Sequence, residues 1–399
     1  MSERTSRLGS AAPRGVSGTE VTVPGGRRVR LSGGTGHPRP DAPPNCRVAY
    51  AAAHVVADPA ADNTPGTPAV LDWDRTLAFR RHLWSYGLGV AEAMDTAQRG
   101  MGLDYPATRE LIRRSAAEAR AVGGRIVAGA ATDQLPPGPA TLTEVTAAYR
   151  EQLDDVQAAG AVPVLMCSRH LAAAARGPED YLRVYDELLH AADRPVVLHW
   201  LGPMFDPALT GYWGTADLDL AADTVVELLK THASQVDGIK VSLLDAGREV
   251  ALRRRLPAGV RLYTGDDFHY PELIRGDEAG HSDALLGVFA AIAPAASAAF
   301  AALDRGDLEA YDEIFAPTVP LARHLFAAPT WYYKTGIVFL AWLAGHQEHF
   351  TMVGGLQSGR SPEHLGTLLT LADAAGLLPD AELAAARARA FFTVAGVTQ

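Results

Sequence analysis

The feature that most constrains this chain is a repeat. Eight short apolar runs recur after Cys46, at residues 47–56, 87–94, 124–131, 161–168, 194–200, 236–244, 259–266 and 282–289. Most are apolar at successive positions, as parallel strands buried on both faces must be. A helical pattern separates neighbouring runs. Pro106–Val122 has Asp104 as a possible N-cap, Thr143–Gly160 closes on glycine, and Pro178–Ala192 and Asp219–His232 have the same form. Strand and helix alternating eight times give either a closed (β/α)8 barrel or an open doubly wound sheet. No GxGxxG follows the first run, which argues against the dinucleotide-binding sheet. The expected class is therefore α/β, a (β/α)8 TIM barrel spanning residues 46–290.

Beyond about residue 290 the pattern becomes all-helical. The stretches 291–313, 316–328, 330–350, 361–375 and 380–393 predict a helical C-terminal extension, residues 291–399, packed on the barrel or forming an oligomer surface. Residues 1–45 mix Arg, Gly, Pro and Ser without an apolar h-region, so they are not a signal peptide. They predict a partly ordered arm, with a small hairpin across Thr19–Leu31 over a Pro-Gly-Gly turn.

Composition excludes several function classes. The net charge is −10 and no long basic run exists, so no nucleic-acid partner is expected. No apolar run approaches the roughly 20 residues of a membrane span, so no membrane partner is expected either. Two cysteines, Cys46 and Cys167, make neither a disulfide framework nor a zinc cluster, which fits a reducing cytoplasm.

In a barrel of this kind the chemistry lies at the C-terminal ends of the strands. The polar residues there are His54, Glu92, Asp95, Thr96, Gln98, Arg99, Cys167, Ser168, Arg169, His199, Trp200, Lys240, Ser242, Asp266, Asp267, His269, His281 and Ser282. Lys240 stands out, because it interrupts the apolar run VDGIKVSLL between Ile239 and Val241. A buried ammonium loses hydration, so burial drives lysine toward the neutral amine that attacks carbonyls. A core lysine paired with Asp266 or Asp267 is the bland alternative. His199 ends an apolar run and reads either as a satisfied core histidine or as a proton carrier. Glu92 invites neutralisation by a cation such as Arg99. Asp266 and Asp267 suit capping of the following helix equally well. Cys167 reads as a packing residue, since no cation adjoins it.

At Lys240 the chain resembles the dihydrodipicolinate synthase and N-acetylneuraminate lyase superfamily over roughly residues 47–380. The resemblance rests on GIK at 238–240, LYTGDD at 262–267, RPVVLHW at 194–200 and RGDLEAYDEIF at 305–315. It implies that Lys240 forms a Schiff base with a carbonyl substrate, with no cofactor or metal, in a homo-oligomer, a dimer or tetramer. There are departures. The family's proton-relay tyrosine falls at His199. Its Gly-Thr-Thr-Gly-Glu loop falls at Asp95–Arg99, where only Thr96 survives. Its arginine after the tyrosine falls near Met204, and its Pro-Pro-Tyr-Tyr segment falls at Met166–Arg169. AEAMDTAQRGMGLDY at 91–105 resembles a divergent branch without a settled substrate. The resemblance therefore carries over the fold, the lysine and the reaction class, but neither pyruvate nor dihydrodipicolinate.

The leading reading is thus a class I aldolase-type lyase, breaking or forming a carbon–carbon or carbon–oxygen bond on a 2-oxo acid or keto-sugar-like compound. Lys240, His199 and Thr96 are the expected catalytic residues. Asp95, Gln98, Arg99, Trp200, Asp266, Asp267 and His269 are expected to bind substrate, with Arg99 or Arg169 holding an anionic end. Two alternatives stand beside it. One is a divalent-metal-dependent barrel lyase or isomerase using His54, Glu92, Asp95, His199, Asp267 and His269 as ligands. The other is a non-catalytic small-molecule-binding relative.

Overall fold

The computed structural model describes residues 18–34 and 36–399. Its first strands, β1 (Glu20–Thr22) and β2 (Arg28–Arg30), form the antiparallel hairpin expected over Pro24–Gly26, where Gly25 and Gly26 take positive φ. The rest of the arm expected before it, residues 1–17, lies outside the described residues. The hairpin is tied to the far end of the chain. Thr22 exchanges two hydrogen bonds with the Gln399 side chain, and Arg389 donates to the Gly18 and Glu20 carbonyls.

Eight strands then close a parallel barrel: β3 (Ala49–Ala52), β4 (Gly89–Glu92), β5 (Ile126–Ala130), β6 (Val162–Leu165), β7 (Val196–Leu201), β8 (Val236–Ser242), β9 (Arg261–Thr264) and β10 (Asp283–Leu286). They pair in chain order, and β10 closes on β3. Seven fall within one of the eight apolar runs, and β7 passes the end of its run by one residue, Leu201. The period of two decides which side chains fill the barrel. Tyr50, Ala52, Ala91, Val127, Val164, Val197, Tyr263 and Leu285 form the interior cluster. Their neighbours Val90, Ala128, Leu165, Leu198, Ile239 and Leu262 pack outward against the helices. Local chemistry sets the helix ends. Asp104 caps the Ala107 N–H at 2.9 Å, Thr141 and Glu144 make a capping box, and Gly123 and Gly160 end their helices at positive φ.

The tail is helical but more broken than its periodicity suggests. The stretch 291–313 divides into Phe289–Asp304 and Leu308–Phe315, because Gly306 turns at φ 72° and Asp307 caps the second helix. The stretch 330–350 is helical only over Tyr333–Leu343, and Gly345 at φ 87° carries the chain away. Tyr333–Leu343 is buried along its whole length. Its Ile337, Phe339 and Leu340 share one apolar cluster with the outward faces of β3, β4 and β10. The tail is therefore packed on the barrel, and its most buried helix begins at the barrel mouth.

Candidate active site

Lys240 lies on β8 with Gly238 and Ser242, the residues of that strand on the inward side, while Ile239 and Val241 join the outer core. A glycine makes room for it. A Cβ on Gly265 would lie 2.8 Å from Lys240 Cε and 2.1 Å from Ser242 Oγ. Burial pulls the Lys240 ammonium below its ordinary value, and the carboxylates of Asp95 and Asp267 oppose that shift. Among the described residues every ion pair is made by an arginine or a histidine, so Lys240 has no salt-bridge partner. Asp267, a partner expected for a core lysine, lines the same chamber and acts on Lys240 by its charge, but not within ion-pair distance.

Lys240 lines a chamber of about 10 Å3 together with Asp95, Thr96, Ser242, Asp267 and Tyr333. That is room for roughly one water molecule. Its roof is aromatic. Phe326 stacks on Tyr333 at 4.3 Å, and Phe205 meets Tyr333 edge-on at 6.2 Å. Gly287 lets the roof approach, since a Cβ there would lie 2.9 Å from Phe326 Cζ and 3.1 Å from Tyr333 Cε2. The Tyr333 hydroxyl and Thr96 Oγ1 are hydrogen-bonded at 2.7 Å. Burial holds the Tyr333 phenol protonated, well above the ordinary tyrosine value. Asp267 is fixed by the Val288 N–H at 2.8 Å, and burial pushes its carboxyl up. A proton donor and acceptor thus face the amine in a nearly closed space.

Asp95, Leu201, Phe205 and Tyr333 also belong to the wall of a second, wider chamber of about 570 Å3. It opens across the ends of β5, β6 and β7, and its walls include Met101, Leu135, Leu209 and Trp331.

Of the sequence-predicted residues, Lys240, Thr96, Asp95 and Asp267 come together, and the others do not. His199 is in register with Lys240 and touches Ser242 of the chamber wall, but is not itself one of the residues lining the chamber. Its one side-chain contact is Nε2 to Ser242 Oγ at 3.4 Å, and Nδ1 is buried without a partner. Burial first, then the charge of Lys240, depresses its pKa far below the ordinary value, so it stays neutral.

Arg99 corrects the expectation of an anion-binding arginine. Nε and Nη2 grip both oxygens of Asp133 at 2.9 and 2.6 Å. Nη1 donates to the Gly129 and Ala93 carbonyls, and Nη2 also to Gln152. All five N–H groups are engaged, and none is left for a substrate. Arg169 pairs with Asp206 through Nε alone, at 2.6 Å, and its side chain stays half exposed on the wide chamber. Gln98 takes a left-handed turn at φ 65° and donates to the Val353 carbonyl at 2.7 Å, stitching its loop to the tail. Trp200 faces outward, beside Val241 and the helix residues Leu218 and Leu252. Strand parity puts it on the wrong face for substrate. Asp266 accepts from the Phe268 and His269 N–H groups and pairs with the His269 ring at 2.9 Å. It organises the loop, and neither residue lines the Lys240 chamber.

The ligand set of the metal-dependent alternative is dispersed. Glu92 points outward into a fully buried bidentate pair with Arg80, 2.8 Å on each arm, and not to Arg99. His54 bonds the Gln347 amide at 2.9 Å. Among the described residues the His, Cys, Asp and Glu atoms that converge at ligating distance are those of Asp186, His190 and His232, on the outside of the barrel. Cys167 is occupied by the His199 carbonyl and the Leu201 N–H, and burial pushes its thiol up to about 12.

Sequence reasoning missed Tyr333, Lys334 and the roof phenylalanines. A usable signal was present in the lysines. The chain has 33 arginines and three lysines, Lys230, Lys240 and Lys334. Two of the three are buried at this one mouth.

The fold and the site define a class: a (β/α)8 barrel with a helical C-terminal extension and a buried, unpaired lysine at the mouth. Solved structures with a similar fold include dihydrodipicolinate synthases. The Aquifex aeolicus enzyme matches at TM-score 0.62 and 13% identity, over 83% of this chain and 99% of its own. The Thermotoga maritima enzyme matches at TM-score 0.62 and 16% identity, over 84% and 100%. The Acinetobacter baumannii enzyme, complexed with pyruvate, matches at TM-score 0.61 and 17% identity, over 84% and 100%. At such identities the likeness establishes the fold. The chain belongs to the DUF993 family, described as a protein of unknown function, whose model matches residues 25–397. No curated protein matches the sequence. No described helix is long and apolar enough to cross a membrane.

Proposed function

We propose that this protein is a Schiff-base-forming lyase or aldolase acting on a small carbonyl compound through Lys240. The observation that carries the reading is a buried lysine without an ion-pair partner, in a closed chamber with a hydroxyl pair and a carboxyl group. The shared fold with dihydrodipicolinate synthases, one of them holding pyruvate, is consistent with it.

The chemistry follows from these groups. The neutral amine of Lys240 adds to the substrate carbonyl, the carbinol oxygen takes a proton from the Asp267 carboxyl and leaves as water, and a protonated imine remains beside the Asp267 carboxylate. That cation accepts the electron pair of an adjacent C–H or C–C bond as the bond breaks, giving an enamine. Thr96 and Tyr333 form the proton path to the reacting carbon, in the role that the sequence suggested for His199. Asp267 balances the positive charge as it forms on nitrogen. The aromatic roof excludes water, so the roof must part to admit substrate.

The test is exchange of the protons next to the substrate carbonyl, followed by NMR in deuterium oxide with a panel of 2-oxo acids and keto sugars. Lys240→Ala abolishes exchange. Tyr333→Phe slows it by about 100-fold while imine formation persists, the usual scale for losing one proton-transfer group. Exchange that survives Lys240→Ala would contradict the reading.

A further inference from the structure

Lys334 is the second buried lysine of the mouth, only 2% exposed. It begins the buried helix Tyr333–Leu343, one residue after the tyrosine that roofs the Lys240 chamber. Its Nζ touches Met101 Sδ at 3.2 Å and lies 5.5 Å from the centre of the Tyr333 ring. A thioether and a ring face are weak partners for an ammonium, which has three donors to satisfy. No described carboxylate pairs with it. An uncompensated buried cation is destabilising unless something else meets it.

Its place is specific. Lys334 lines the wide 570 Å3 chamber and not the small one, and Lys240 lines the small chamber and not the wide one. The two chambers share Asp95, Leu201, Phe205 and Tyr333 as a party wall. The other cations on the wide chamber are neutralised, Arg99 by Asp133 and Arg169 by Asp206. Asp95 and Asp206 also line this chamber and their charge acts on Lys334, but among the described residues neither carboxylate comes within ion-pair distance of it, so the ammonium keeps donors for a ligand. The amino-acid usage points the same way. This chain meets nearly every other need for a cation with arginine, yet it uses lysine here, as a compact point charge.

We propose that Lys334 anchors a carboxylate of the substrate, so that the compound taken by this barrel is an oxo acid whose carboxylate lies remote from the carbonyl that reaches Lys240. One ammonium matches one carboxylate, whereas a phosphate dianion would also draw on the Nη groups of Arg169 in the same wall. Burial lowers the Lys334 ammonium to about 8, which leaves it charged near neutral pH. The apolar residues between the lysines, Leu201 and Phe205, suit the carbon chain that joins the two groups. The inference rests on the Schiff-base reading for the carbonyl end and on Lys334 alone for the acidic end.

The test has two arms, each on the full chain. In the first, calorimetry measures binding of glutarate, which has no ketone, and of inorganic phosphate. Lys334→Met is expected to bind glutarate about 30-fold more weakly than wild type, the usual loss for a charge-assisted hydrogen bond. Lys334→Gln is the second variant, used if Lys334→Met does not fold. In the second arm, borohydride trapping on Lys240 compares 4-oxopentanoate with a neutral methyl ketone of similar length. The half-saturating concentration of the acid rises about 30-fold in the variant, and that of the ketone stays put. Glutarate bound equally by wild type and variant, no glutarate binding to wild type, or preferential binding of phosphate would overturn the assignment. If neither compound is trapped on Lys240, the Schiff-base reading fails and the glutarate arm still decides Lys334.

Discussion

Replacing Arg99 with methionine separates a structural clamp from a substrate ligand. Arg99 is buried, and its partner Asp133 has a side chain only 26% exposed. Methionine keeps much of the apolar stem but takes the cation from the Asp133 carboxylate and a donor from the Gly129 carbonyl, leaving Asp133 with the Gln152 amide alone and the Gln152 oxygen with the Ala131 N–H. Breaking a buried pair from one side destabilises by about 3–5 kcal/mol. Unfolding entropy near 2.1 cal/mol/K per residue amounts to about 0.8 kcal/mol per degree in a chain of this length, so Tm should fall by about 4–6 °C. The pH dependence carries a second signature. Burial pushes the Asp133 carboxyl up, but the Arg99 guanidinium and the Gln152 amide outweigh it and hold the group at about 2. A depressed acid gives stability above its unfolded value and loses it as pH falls through the folded value. The variant lacks that contribution, so its deficit is greatest at neutral pH and narrows below pH 4. Denaturation at pH 7 and pH 3.5 measures both, and replacing Asp133 with leucine as well should restore much of the loss. An Arg99→Met protein with wild-type unfolding and selectively weakened substrate binding would refute the clamp and reinstate Arg99 as an anion ligand.

Two further outcomes are expected. Glu249 is buried between the Thr264 and Ser282 hydroxyls, and burial pushes its carboxyl up to about 8. A raised acid contributes full stability below its unfolded value and loses it as pH climbs toward the folded one. Glu249→Gln should therefore flatten the decline between pH 5 and pH 8 and be more stable than wild type at pH 8 by about 2–5 kcal/mol. A denaturation series across that window checks it, and parallel curves would contradict it. Gly287→Ala places a methyl against Phe326 and Tyr333. It should lower stability by about 1–3 kcal/mol through overpacking and slow imine formation at Lys240. Unchanged trapping kinetics would mean that the roof does not govern access.

The barrel was legible because its strands are short, apolar and regularly spaced, and because β8 and β9 carry their polar residues at fixed parity. Lys240 stood out for the same reason, as a charge flanked on both sides by apolar residues inside an apolar strand. Parity also explains the failure at Trp200. A strand end displaced by one residue puts a side chain on the opposite face, and nothing in RPVVLHW says which of His199 and Trp200 points inward. Arg99 could not be placed because its partners, Asp133 and Gln152, come from separate segments of the chain. Tyr333 and Lys334 were invisible for a like reason. They belong to the tail, more than ninety residues after Lys240, and only the packing of that buried helix against the mouth brings them to the site.

The central claim concerns one nitrogen atom, and borohydride trapping tests it most directly. The protein is incubated with a panel of oxo acids and keto sugars, reduced, and mapped by peptide mass. With three lysines in the chain, an adduct is assigned without ambiguity. The account predicts a mass increase on the peptide bearing Lys240 that is absent in Lys240→Ala. No adduct across the panel, or an adduct on Lys334 or Lys230 instead, would contradict it.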